Sequence, residues 1–396
     1  MVDYNPFMDE IIEGDAHPIY KQMRAESPVH YIEEFDAWFL FKFDDIWRSG
    51  ANFKQLSAAE GTTPGHLLLQ DTPPSLSFTQ MDPPKHSHYR AAVSSHFKPG
   101  AVKKLIEEKI RAHAKEFVDG FIERGEADLV ADYALRISVR SASLVGGLPI
   151  EEADTMSGWV NELFERRKGH RGMTEEGQQA GKDMFFFFLD YVKKMRKNQD
   201  KATGLLHTML VGEIEGKQMS DFEVASTLSL ALVGGTDTFP KALGSTFIRL
   251  CQNPDQRAEV AADLSLCQDA FLEALRIDTP TQMLGRTVVA DIEYRGHTAK
   301  PGQKVMFVFP SGDRDEDEFE RPDVYDIKRR PQRIVAFGQG VHMCMGKHVA
   351  ILEAKIALEE ILKRIPNYEV IEDQCERTKT EFVQGPVRLP IRFDPA

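Results

Sequence analysis

Phe337-Gly338-Gln339-Gly340-Val341-His342-Met343-Cys344-Met345-Gly346 is the stretch on which the reading of this chain turns. Its three glycines tolerate positive φ and let other atoms approach the backbone closely. The segment that follows, Met345 to Leu362, is apolar at helical spacing, so Cys344 stands where a helix begins. Partial positive charge at a helix N-terminus favours the thiolate. Backbone N–H groups freed by the glycines can donate to the sulfur and tune it as a metal ligand. Two plainer uses compete. A lone buried cysteine often only packs. A nucleophile with His342 as its base is the other use, but residues two apart in a tight loop rarely present both side chains to one substrate.

Length and composition narrow the setting. The 396 residues suffice for two average domains or one large core. Apolar residues make up 42% and charged residues 28%, ordinary values for a globular protein. A net charge of −13, with no lysine-rich tail to offset it, argues against general nucleic-acid binding. The four cysteines, Cys251, Cys267, Cys344 and Cys375, show no metal-ligand pairing, so reduced thiols in a cytoplasmic protein are expected. The acidic N-terminus lacks the basic start and apolar run of a secretion signal. The most apolar run, Met184 to Leu189, falls far short of the roughly 18 residues of a membrane span.

Organisation along the chain is mainly helical. Ala37 to Phe41 reads as a strand among Pro- and Gly-rich loops. Val102 to Arg124, Glu175 to Lys197 and a very long stretch from Ser220 to Leu250 read as helices. Short β-prone pieces follow Pro280, and the tail from Thr380 to Phe393 alternates like a hairpin. No repeat or linker divides the chain, which predicts a single, mainly α domain over 1–396 with small β-sheets.

One part of the long helix is locally unfavourable. Gly234, Gly235 and Pro240 lie within Leu232 to Pro240, and a helix interior loses about 1 kcal/mol per glycine and about 3 kcal/mol per proline. Pro240 cannot donate to the carbonyl of Thr236, so the helix is expected to open there and leave polar groups free. A simple interhelical kink is the plainer reading. A dinucleotide fingerprint fails, because no strand precedes the glycines and the spacing is wrong.

The cysteine stretch matches, at all six fixed positions, the pattern Phe-Gly-x-Gly-x-His-x-Cys-x-Gly and so resembles the haem-ligand signature of the cytochromes P450. The resemblance implies that Cys344 is the axial ligand of a haem b, that Phe337 packs beside the sulfur and that His342 reaches a propionate. Glu273 and Arg276, which taken alone would read as a solvated i,i+3 pair, resemble the family's Glu-x-x-Arg helix. Arg329 stands where the family places their third partner, in a structural ion network. Gly234-Gly235-Thr236-Asp237-Thr238 is similar to the family's acid–alcohol motif, with Gly234 replacing a frequent alanine. It implies that Thr238 contacts the bound dioxygen or a water beside it, and that Asp237 relays protons. His86 and Arg90, at i and i+4, and Arg286 match propionate contacts. Pro301 to Val305 and Asp313 to Asp315 match further landmarks. Many relatives carry a histidine where this chain has Ile334, which leaves Arg333 as a candidate substitute.

The resemblance implies insertion of one oxygen atom from O₂ into a hydrophobic molecule, by hydroxylation or epoxidation. A terpenoid or aromatic hydrocarbon is expected from the apolar regions Leu67 to Phe78, Leu232, Val233, Met283, Leu284 and Val383, which offer no evident charged anchor. With no reductase segment in the sequence, electrons are expected from an iron–sulfur ferredoxin fed by an NAD(P)H-dependent reductase. It would dock on a basic face of Lys328, Arg329, Arg330, Arg333 and Lys347. A monomer is expected. The rival readings are a peroxide-using haem enzyme and a haem carrier or sensor that turns nothing over.

Overall fold

The computed structural model describes residues 4–72, 77–167, 169 and 171–395. Nine helices build the body around the site: α1 (Lys85–Ser94), α2 (Pro99–Asp119), α3 (Leu135–Gly146), α4 (Ala153–Phe164), α5 (Glu175–Arg196), α6 (Asp221–Thr236), α7 (Thr238–Gln252), α8 (Cys267–Ile277) and α9 (Lys347–Leu362). The strands that matter here are β1 (Val29–Ile32), β2 (Ala37–Leu40), β3 (Leu56–Ser57), β4 (Glu126–Asp128), β5 (Met283–Val288), β6 (Lys304–Val308), β7 (Glu369–Val370), β8 (Glu376–Arg377), β9 (Pro386–Arg388) and β10 (Pro390–Arg392). The largest sheet has the order β1-β2-β6-β5-β3, with β6 parallel to β2 and antiparallel to β5. A mainly helical fold with small separate sheets agrees with the sequence reading.

Two apolar clusters flank the central helices. In one, Ile106 and Ile110 of α2, Phe247 of α7, Phe271 of α8 and Leu358 of α9 are buried together. The other joins Val160 of α4, Phe188 of α5 and Leu228 of α6. α6 is thus anchored in the second cluster and α7 in the first, so the joint between them is held from both ends.

That middle opens as expected, and the long stretch becomes two helices. Ser220 and Glu223 form a reciprocal capping box that starts α6, and the helix ends at Thr236, with α7 restarting at Thr238. Asp237 is the joint. The helix opens at Thr236 as Pro240 requires, and the neighbouring carbonyls accept side-chain donors: Thr238 Oγ1 on Gly234 at 3.1 Å, Ser138 Oγ on Gly235 at 2.7 Å and Lys241 Nζ on Asp237 at 3.2 Å.

The tail departs from the expected hairpin. β9 pairs with β8, while β10 lies between β7 and β4, so the two alternating strands never pair with each other. Alternation reports a half-buried strand but not its partner, and here the partners lie up to the far side of the chain. Val102 to Arg124 resolves into α2, which begins at Pro99 and stops at Asp119, followed by a short 3₁₀ turn at Ile122–Arg124.

Candidate functional site

A cavity of about 1010 Å³ lies between α6–α7 and the cysteine loop. Cys344, Phe337 and His342 line it together with Val233, Gly234, Asp237 and Thr238, and with Arg90, Arg286, Leu284 and Val383. The sequence-predicted ligand and the acid–alcohol pair therefore meet in one space.

The loop is built around its sulfur. The N–H of Cys344 donates to Phe337 O at 2.8 Å, and Gly340 takes φ +74 where a side chain would strike the backbone of Gly50 and Ala51. α9 begins at Lys347 rather than Met345, which sets the N–H groups of Gly346 and Lys347 toward the thiol. Burial pushes the Cys344 thiol up, and those two N–H groups and Arg90 offset it only in part. The helix-start N–H groups and Arg90 act in the direction expected from sequence, toward the thiolate. A coordinated cation is the kind of partner that deprotonates such a thiol outright. Asp313 anchors the loop's start, its buried carboxylate accepting from Val335 N at 2.7 Å.

Basic side chains converge beside the sulfur. His86 is 1% exposed, and both its ring nitrogens are buried without a partner. Its ring lies 4.1 Å from that of His342, centroid to centroid. Burial, then the charge of Arg90, lowers His86 to about 4; burial, then Arg286, lowers His342 to about 3. Burial likewise pulls Arg286 down to about 10. Arg90 donates to Met343 O and Arg286 to Gly285 O, and among the described residues neither has a carboxylate partner. Buried cations and orphaned imidazoles without anions are costly unless an anionic group completes them. The donor set of one thiol and four bases fits a haem with its propionates.

Arg333 does not join them. It pairs bidentately with Glu318 at 2.8 and 2.7 Å and lies over Phe43 and Trp47, away from the cavity. The substitute contact expected opposite Ile334 is therefore absent, and Ile334 packs into the apolar core. The basic docking face is also changed. Lys328 pairs with Glu259, Arg330 with Asp269 and Arg333 with Glu318, while Arg329 is committed elsewhere.

That commitment is the ion network. Arg276, fully buried, grips Glu273 through Nε at 2.9 Å and a terminal nitrogen at 2.8 Å, and donates to the carbonyls of Asp313 and Pro322. Arg329 Nε adds a third bond to Glu273 at 2.9 Å and reaches the carbonyls of Glu320, Arg321 and Val324. Two arginines on one buried carboxylate thus tie α8 to the 313–329 segment that leads into the cysteine loop.

The distal side holds Asp237, which is 6% exposed. Burial raises its carboxyl, opposed by Lys241 and Arg166. Lys241 Nζ donates to Oδ1, while Oδ2 is buried without a partner. Sequence reasoning missed Lys241, whose i,i+4 spacing from Asp237 was the available signal. It missed the Arg166–Glu381 pair (3.6 Å) on the cavity wall, which corrects the expectation of no charged anchor. It missed Glu353 too, a buried carboxyl on α9 that burial holds well above the usual range. Nothing in sequence distinguishes that residue from a surface glutamate.

Among the expected pocket residues, Val233, Leu284 and Val383 line the cavity, as does Phe78. Leu232 and Met283 do not. One residue of rotation on a helix, or one step along a strand, turns a side chain away: Leu232 is fully buried in the second cluster, and Met283 in a third, with Phe39 and Met306 of the large sheet. Leu67 and Leu68 are core residues as well, and residues 73–76 of the Leu67 to Phe78 stretch lie outside the described ones.

Comparison with known proteins bears on the family of the chain. The family model "Cytochrome P450" matches residues 167–393. Cytochrome P450-terp of a Pseudomonas species is 30% identical, over 98% of this chain and 95% of its own. The steroid C26-monooxygenase of Mycolicibacterium smegmatis is 29% identical, over 97% and 94%. The crystal structure of CYP109E1 from Bacillus megaterium in complex with testosterone superposes with a TM-score of 0.86 at 26% identity, covering 96% of this chain and 98% of that one. Among the described residues no helix is long and apolar enough to cross a membrane. A family model matching more than half of the chain and a relative at 30% identity over nearly its whole length show that the chain belongs to the cytochrome P450 family of haem-thiolate monooxygenases.

Proposed function

We propose that this monooxygenase hydroxylates or epoxidises a neutral hydrophobic small molecule, a terpenoid or aromatic hydrocarbon, with electrons from an iron–sulfur ferredoxin and its NAD(P)H-dependent reductase. One observation carries the reading: Cys344 and the Asp237–Thr238 pair line a single cavity. Haem, when bound, supplies the redox centre at which O₂ is reduced, one oxygen atom entering the substrate and the other leaving as water.

The protein's own groups would do the rest. Cys344 would hold the iron, and His86, Arg90, Arg286 and His342 would hold the propionates of a haem b. The apolar walls contributed by Val233, Leu284, Phe78 and Val383 would exclude water and orient the substrate. Arg166 and Glu381 offset each other, which favours a neutral guest over a carboxylate. The Thr238 hydroxyl proton is engaged by Gly234 O, so its oxygen would face the cavity as an acceptor. Asp237, whose residue joins the cavity lining, would relay protons toward Thr238. Ferredoxin would dock near the start of α9, where His348 is exposed and Lys347 lies over the Phe337 ring. The free thiols suit a cytoplasmic setting.

Thr238→Ala tests the reading. Product per NAD(P)H should fall roughly tenfold or more, with the electrons recovered as peroxide. Unchanged coupling would instead support the peroxide-using or carrier readings.

A further inference from the structure

Lys241 is buried as deeply as the acid it serves: its side chain is 6% exposed and that of Asp237 5%. Its ammonium donates to Oδ1 of Asp237 and, at 3.2 Å, to the main-chain oxygen of the same residue. Both bonds fall at the joint between α6 and α7, where the backbone has opened. A lysine one turn beyond an aspartate is ordinarily a solvated pair of small effect. Here neither group can turn to water.

A second element fixes the lysine's stem. A Cβ on Gly385, in the turn before β9, would stand 2.5 Å from Lys241 Cβ and 3.0 Å from its Cγ. Only a glycine leaves that room. Gly385 is itself held by Thr378, its N–H donating to Oγ1 at 3.1 Å and its oxygen accepting the Thr378 N–H at 3.0 Å. The lysine is thus pressed against the helix joint by the C-terminal sheet.

The other charges facing Asp237 come from one further segment. Arg166, between α4 and α5, acts on Asp237 from a distance and is paired at 3.6 Å with Glu381. Among the described residues, direct contact with the carboxylate belongs to Lys241, and Oδ2 has no partner.

We propose that Lys241 is a positioning residue for Asp237: it clamps Oδ1 at the helix joint, which leaves Oδ2 as the carboxylate oxygen without a partner among the described residues. The inference rests on the reading of Asp237 as the proton relay. The clamp requires Gly385, which keeps the lysine stem in place.

The test uses the haem-loaded protein and two readouts, infrared detection of the protonated Asp237 carbonyl and product per NAD(P)H. In Lys241→Met the carboxyl should remain protonated to a pH about 1–3 units higher than in the wild type, since an adjacent cation shifts a carboxylate by that much. The band is assigned by its loss in the Asp237→Asn, Lys241→Met double variant. Product per NAD(P)H should fall and its pH profile should move in the same direction. Gly385→Ala retains the lysine but displaces its stem, and should shift both readouts the same way by less. An unmoved carbonyl titration, or unmoved coupling, in Lys241→Met would overturn the proposal. If Thr238→Ala still diverts electrons to peroxide in that case, the proposed function stands while the clamp falls.

Discussion

Replacing Glu273 by alanine should destabilise this protein more than any other single change at the site's periphery. The carboxylate accepts from Arg276 twice, from Arg329 and from the Asp326 N–H. Its removal leaves Arg276, with no solvent exposure, held only by two carbonyls. Breaking a buried pair by deleting one partner costs about 3–5 kcal/mol. Set against a typical stability of about 5–15 kcal/mol, that is a large fraction of the whole. Arg329→Ala should cost less, about 1.5–3 kcal/mol, because Glu273 keeps its bidentate partner. Urea midpoints of the haem-free proteins, with haem content measured alongside, give both numbers. The network also anchors the 313–329 segment, so haem retention should fall in the same order. A Glu273→Ala protein within 1 kcal/mol of wild type would refute the reasoning, since no buried arginine could then be depending on that carboxylate.

Other consequences are equally specific. His86 stays neutral in the fold down to about pH 4, whereas a free histidine protonates near its ordinary value of 6.5. The unfolded chain therefore binds a proton that the folded one refuses across that window. Stability of the haem-free protein should drop as pH falls through it, by on the order of 3 kcal/mol for this group. His86→Phe should flatten the trend when urea midpoints at neutral and acid pH are compared. Arg286→Met should weaken haem binding by about 10–100-fold, the worth of one charged hydrogen bond, as read by haem transfer to a competing apoprotein. Leu232→Ala should destabilise by about 2–5 kcal/mol while leaving substrate-induced spin-state titrations unchanged. Leu284→Ala should do the reverse.

What the sequence made legible was chemistry carried at fixed local spacing. The cysteine loop, the Glu273–Arg276 pair and the Asp237–Thr238 pair each sit within one turn or loop, so their geometry follows from the chain itself. The glycines and Pro240 also disclosed the opening of the long helix, though the exact joint at Asp237 emerged only in the structure. What stayed hidden depends on tertiary partners. Lys328, Arg330 and Arg333 look like a basic face until Glu259, Asp269 and Glu318 are brought against them. The alternation of β9 and β10 was readable, yet their partners β8, β7 and β4 were not. Leu232 and Met283 were apolar as expected, but one residue of rotation sends them into the cores rather than the cavity.

The account turns on Cys344 as the iron's ligand, and the difference spectrum of the ferrous protein with carbon monoxide tests this most directly. The account expects the strongly red-shifted band of a thiolate-ligated haem in the wild type, lost in Cys344→Ser even when haem remains bound. A wild-type spectrum of the histidine-ligated kind, or a Cys344→Ser spectrum identical to the wild type, would contradict it.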